Sequence, residues 1–89
     1  MTSNRQFFKI GKLVKENREK TGTSQLDLAK KLGYKNGQFI SNVERGICTI
    51  PFEKIANMSE VLAIPPVYII EAMGEDFKRN VKNVVNGSL

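Results

Sequence analysis

Histidine is absent from the 89 residues, and cysteine occurs once, as Cys48. Without histidine the chain lacks the side chain that most often serves as general base or metal ligand near neutral pH. A single cysteine closes no intrachain disulfide and gives a metal at most one thiolate. There is no glycine-rich phosphate loop and no acidic pair set in a motif, so no catalytic constellation is on offer. Enzyme chemistry, metals and cofactors are therefore not expected. Cys48 reads as a small half-buried residue, since no resolving thiol accompanies it. Long hydrophobic runs are missing as well. The most apolar stretch, Val61 to Ile70, is short and broken by Pro65 and Pro66, whereas a bilayer span needs roughly 18 apolar residues. Met1 to Gln6 has no apolar run behind it and does not read as a signal peptide. A reducing, cytoplasmic setting is the expectation. No alternating strand pattern of useful length, no internal repeat and no low-complexity linker appears, which points to one all-α domain.

What is present is a basic charge, unevenly placed. The net charge is +5. Residues 1–46 carry ten Lys/Arg against the acids Glu16, Glu19, Asp27 and Glu44, while residues 47–89 carry four against five acids. A basic half joined to a neutral half fits an electrostatic footprint for a polyanion. Charge by itself is equally consistent with simple solubility.

Glycine, proline and short polar residues cut the chain into helices. Phe7, Ile10, Leu13 and Val14 follow the helical period, so a first helix is expected from near Asn4 to Thr21, with Gly22 as its left-handed cap. Ser24 is placed to cap a second helix, whose inner face is Leu28, Ala29 and Leu32 and which Gly33 ends. Asn36 reads as the cap of a third, packed through Phe39, Ile40 and Val43 and closed by Gly46. Pro51 suits the first turn of a fourth helix carrying Phe52, Ile55, Met58, Ser59 and Leu62. Pro65 and Pro66 break the chain and start a fifth with Tyr68, Ile69, Ile70 and Met73. Gly74 either ends that helix or only weakens it, and an amphipathic stretch follows from Glu75 to Val85.

Two short helices, a glycine-marked turn and then small polar side chains on the second helix make the pattern of a helix-turn-helix. Gln38, Ser41, Asn42 and Arg45 stand at i, i+3, i+4 and i+7 and share one helical face. Ile40 and Val43 lie on the other side as anchors. A helix from about Gly37 to Arg45 with such a face is slim and polar enough for a major groove about 12 Å wide. Gln and Asn pair bidentately with adenine, each good pair discriminating by roughly 1–3 kcal/mol.

With Ser24-Gln25, Leu28-Ala29, Leu32-Gly33, Ile40-Ser41, Glu44-Arg45-Gly46 and Leu62 in this order, the sequence resembles the Cro and phage-repressor (XRE-like) helix-turn-helix family from Ile10 to Ile69. The resemblance implies an all-α, five-helix repressor-like DNA-binding domain over 1–74. Residues 75–89 then form an additional C-terminal helix or helix extension. It implies a sequence-specific transcriptional regulator, a repressor by preference, commonly dimeric on a palindromic operator. Carried onto this chain, Gln38, Ser41 and Asn42 face bases. Gln25, Lys35, Asn36 and Arg45, with Tyr34 beside them, meet the DNA backbone. For Gln25 plain helix capping is the other role, and both can hold together. Arg18 and Glu44 match an ion pair that orients the reading helix. Two departures stand out. The stretch from Gly33 to Gly46 is one residue longer than usual, with the excess assigned to Tyr34-Lys35-Asn36. Ala63 stands where the family usually has glycine.

The C-terminal third carries an apolar stripe: Ile70, Met73, Phe77, Val81 and Val84, with Val85 beside it. A closed five-helix core does not need it. It is expected either to fold back on the core or to bury itself against a twin, and Met73, Phe77 and Val81 are the residues expected at a homodimer interface. The alternative function is an antitoxin or adaptor that kept this fold, with a toxin as protein partner.

Overall fold

The computed structural model describes residues 6–88, which are all-helical, with no strand among them. The helices are α1 (Phe8–Lys20), α2 (Gln25–Lys31), α3 (Gln38–Glu44), α4 (Ile55–Leu62) and α5 (Pro66–Ser88). A single 3₁₀ turn, Phe52–Lys54, precedes α4. Among the described residues no helix is long and apolar enough to cross a membrane.

Helix α1 lies at the centre and packs against α3, α4 and α5. The core is Ile10 and Val14 of α1, Leu28, Ala29 and Leu32 of α2 and its end, Ile40 and Val43 of α3, then Ile50, Met58, Leu62 and Ile69. All eleven are at most 2% exposed, and at about 1.5–3 kcal/mol for each large side chain they dominate the favourable side of folding. Helices of seven residues are marginal alone, so α2 and α3 exist because they donate these side chains to a shared interior. Contact between α1 and α3 is closest at Gly11. A Cβ there would stand 2.5 Å from the Val43 carbonyl oxygen and 3.1 Å from that of Glu44. Only a residue without a side chain lets the two backbones meet.

Several boundaries differ from the sequence expectation. Asn4 lies outside the described residues; Gln6 and Phe7 form a turn, and α1 starts at Phe8. Its first turn has no cap from its own segment. Instead Asp76 of α5, 1% exposed, accepts the Lys9 N–H at 2.8 Å and the Ile10 N–H at 3.0 Å. This carboxylate satisfies orphan donors and faces the positive end of the α1 dipole. The N-cap residue of α3 is Gly37 rather than Asn36, although the Asn36 side chain does accept the Gln38 N–H at 2.9 Å. Pro51 precedes the 3₁₀ turn, and Phe52 is 85% exposed instead of packing. Helix α5 runs through Gly74 without a break, so of the two readings of this glycine the continuous helix is the one found, with residues beyond 74 as its extension. An exposed glycine costs a helix about 1 kcal/mol, too little to interrupt one that is held from Ile69 to Asp76.

Ala63 ends α4 in the left-handed region, at φ 58° and ψ 43°. The turn is fixed by Ser59, whose hydroxyl donates to the Ile64 carbonyl at 2.5 Å while the Ile64 N–H returns to the Ser59 carbonyl. A glycine would adopt this conformation freely; an alanine is strained. Ala63→Gly is therefore expected to raise stability by about 0.5–1 kcal/mol, after the extra freedom of glycine in the unfolded chain is counted. A denaturant midpoint that falls would remove the strain argument. Asp76→Ala should cost about 2–4 kcal/mol by orphaning two N–H groups, and amide exchange at Lys9 and Ile10 should accelerate; unchanged protection there would contradict the cap.

Candidate nucleic-acid interface

Helix α2 is started by Ser24, whose Oγ accepts the Asp27 N–H at 3.0 Å. Beyond Leu32 the chain turns through Gly33 at φ +91°. The turn between α2 and α3 is braced rather than loose. The Tyr34 N–H donates to the Ala29 carbonyl at 2.9 Å, and the Tyr34 ring stacks on Phe39 of α3 with centroids 4.5 Å apart. Lys54 closes the bracket: its Nζ donates to the Leu32 carbonyl at 2.7 Å and sits 5.2 Å from the Tyr34 ring centroid. Tyr34, expected at the DNA backbone, thus uses its ring to seat α3, and Lys54 was not foreseen at all. Lys35 and Asn36 remain exposed.

Helix α3 is two-sided as its sequence pattern requires. Ile40 and Val43 are fully buried, and Glu44 is 9% exposed. On the outer side Gln38 and Arg45 are exposed and Ser41 and Asn42 half-buried. Three of these four form one network. Gln38 Nε2 donates to Asn42 Oδ1 at 3.0 Å, and Arg45 Nη2 donates to the same oxygen at 2.7 Å. Arginine has donors only, so Arg45 fixes which end of the Asn42 amide it meets. The network leaves the Asn42 Nδ2 hydrogens and the Gln38 Oε1 lone pairs for a ligand, a donor and an acceptor side by side on one face.

The orientation of that face is set from behind. Arg18 of α1 meets Glu44 with both ends of its guanidinium, Nε to Oε2 at 2.6 Å and Nη2 to Oε1 at 3.1 Å. Its Nη1 donates to the Thr23 carbonyl at 2.9 Å. Gln25 Nε2 adds a third donor to the carboxylate, 2.9 Å from Oε1. The two charged side chains are 13% and 4% exposed. Hydrogen bonding to Glu44 raises the Arg18 pKa above its ordinary value, against the lowering that burial alone would give; the charges of Glu44 and Glu19 add to the rise. One carboxylate therefore ties α1, α2 and α3 together. The Gln25 side chain does not cap its own helix; one of its amide hydrogens goes to Glu44. Gly11 went unremarked in the sequence, though an isolated glycine inside a helical pattern is a readable sign of close backbone approach. Asp76 had no such sign, since nothing in sequence separates it from the solvated Glu75 beside it.

Elsewhere, Cys48 is half-buried with its thiol pKa pushed up by desolvation, which disfavours the reactive thiolate. Among the described residues no group of three or more potential metal ligands gathers.

Compared with known families, residues 14–69 match the family model described as helix-turn-helix. No curated protein matches the chain.

Because the Arg18–Glu44 pair is buried, Arg18→Ala leaves an uncompensated carboxylate between three helices. The expected loss is about 3–5 kcal/mol. Arg18→Lys should recover only part of it, because an ammonium cannot span both oxygens. Denaturant melts measure both; a loss below about 1 kcal/mol for Arg18→Ala would mean that the pair behaves as a surface pair.

Proposed function

From the premise that this chain belongs to the helix-turn-helix family of the Cro and phage-repressor type, we propose that it is a sequence-specific transcriptional regulator that reads the major groove of double-stranded DNA with α3. The observation that carries the reading is the exposed Gln38–Asn42–Arg45 network on a helix whose opposite side is locked by Arg18 and Glu44. Gln38, Ser41 and Asn42 supply base contacts, since their donors and acceptors match base edges. Gln25, Lys35, Asn36 and Arg45 meet phosphates, which fix register without carrying sequence information. Gln25 does so with the amide hydrogen that Glu44 leaves free, and Arg45 with the guanidinium donors not spent on Asn42. The basic N-terminal half supplies the long-range attraction. Repression follows from occupancy of an operator, in the cytoplasm.

The functional unit in this reading is a homodimer on a palindromic site, with recognition helices about 34 Å apart. The helical extension beyond residue 74 serves association. Phe77 is 70% and Val81 44% exposed, which supports their place at the interface; Met73 is half-buried against its own core and contributes only its edge.

Binding-site selection followed by titration tests the reading. Asn42→Ala should relax base preference at one position per half-site, by a discrimination of about 1–3 kcal/mol, and leave non-specific affinity nearly intact. Lys35→Ala should weaken all sequences alike and lower the salt slope by about one. Failure of the parent chain to shift any duplex at low salt would overturn DNA binding and favour a protein-interaction module. An Asn42→Ala variant with unchanged preference would overturn the assignment of α3.

A further inference from the structure

Helix α5 carries two apolar lines. One faces the core through Ile69 and, at its polar end, Asp76. The other is turned away by about a third of a helical turn. It consists of Val67, Ile70, Gly74, Phe77, Val81 and Val84, at spacings of three and four in strict alternation. Every member is exposed, the five apolar side chains from 44% at Val81 to 70% at Phe77. Such alternation is the mark of a coiled-coil seam, and nothing in the chain's own fold covers it among the described residues. At Gly74 an added Cβ would meet nothing within 4 Å, so the seam has a hollow one turn from its largest projection, Phe77.

We infer that this second line is the surface on which two copies of the chain pair, with the α5 helices antiparallel and Phe77 of each seated over Gly74 of the other. The inference rests on the dimeric reading above and fixes its register and polarity. With Gly74 opposite the partner's Phe77, Ile70 meets the partner's Val81 and Val67 the partner's Val84. Charge decides the direction. Glu71 and Lys78 flank the seam on the same side and are both exposed. In an antiparallel pair, like flanks face each other, so each Glu71 approaches the partner's Lys78 and two ion pairs form. A parallel pair would set Met73 beside Lys78 and Asn80 beside Val85 and would form none. Met73 then lies on the flank between the seam and the core, which accounts for its partial burial.

The test is sedimentation equilibrium of the full chain up to high micromolar concentration, with half-site DNA binding and far-UV circular dichroism measured on each variant. The parent should be dimeric and folded Phe77→Glu monomeric. Glu71→Lys and Lys78→Glu should each raise the dimer dissociation constant by at least about fivefold, and the double exchange should return it to within about twofold of the parent. A parent that stays monomeric while binding half-sites overturns the inference and leaves the DNA reading standing. A dimer in which the double exchange is no better than either single variant overturns the antiparallel register. Reciprocal rescue in a chain that binds no duplex would support the pairing and sink the DNA reading.

Discussion

A carboxylate with almost no access to water holds α3 in place. Glu44 receives two bonds from Arg18 on α1 and one from Gln25 on α2, while its own backbone abuts Gly11. Ionised groups are expensive to bury, and such a pair adds little net stability over a well-packed apolar replacement. Its contribution is directional. Apolar contacts at Ile40 and Val43 would tolerate rotation and sliding of a seven-residue helix; a bidentate guanidinium–carboxylate contact does not. In the proposed role, reading a base edge would require side chains to arrive at a fixed height and angle, a constraint that would favour retaining the pair in so small a domain.

The same logic recurs where α5 meets α1. Asp76 spends a buried charge on the first turn of α1, so the helix that carries Arg18 is anchored by the helix that carries the exposed seam. Asn80 continues this attachment by donating to the Gln6 carbonyl at 2.9 Å. The outer line of α5 is thereby mounted on the rigid body that orients α3. A partner bound there would sit at a fixed distance from the polar face of α3, as the proposed pairing on two half-sites would require.

The polar face of α3 is organised before any ligand arrives. Arg45 and Gln38 share one Asn42 oxygen, and the arrangement reduces the rotamer freedom that binding would otherwise have to remove. Being exposed, these bonds exchange readily with water and contribute little to folding. Their effect is on which donors and acceptors are presented. The turn before α3 is stiffened independently by the Tyr34–Phe39 stack and Lys54, so the connection does not loosen the helix it introduces.

Local rules sufficed for much of the chain. The periods of Ile10 and Val14, of Leu28 and Leu32, and of Ile40 and Val43 determined which faces are buried, because a helix with one apolar stripe has one way to leave water. Ser24 as a cap, Gly22 as a left-handed cap and Gly33 and Gly46 as helix ends followed from the chemistry of those residue types in their places. The motif identified the family, and through it the Arg18–Glu44 pair, which the fold contains. Ala63 was legible as a departure, but not as a strained residue until its φ was known. What only the tertiary structure decided involves residues far apart in sequence. Asp76 caps a helix 66 residues away, Gln25 turns to Glu44, Lys54 braces Tyr34, and Gly11 lets two backbones touch. A local pattern reports the surroundings of a residue along its own helix. It carries no signal for which distant donor a carboxylate will meet, because that is fixed only when the helices pack.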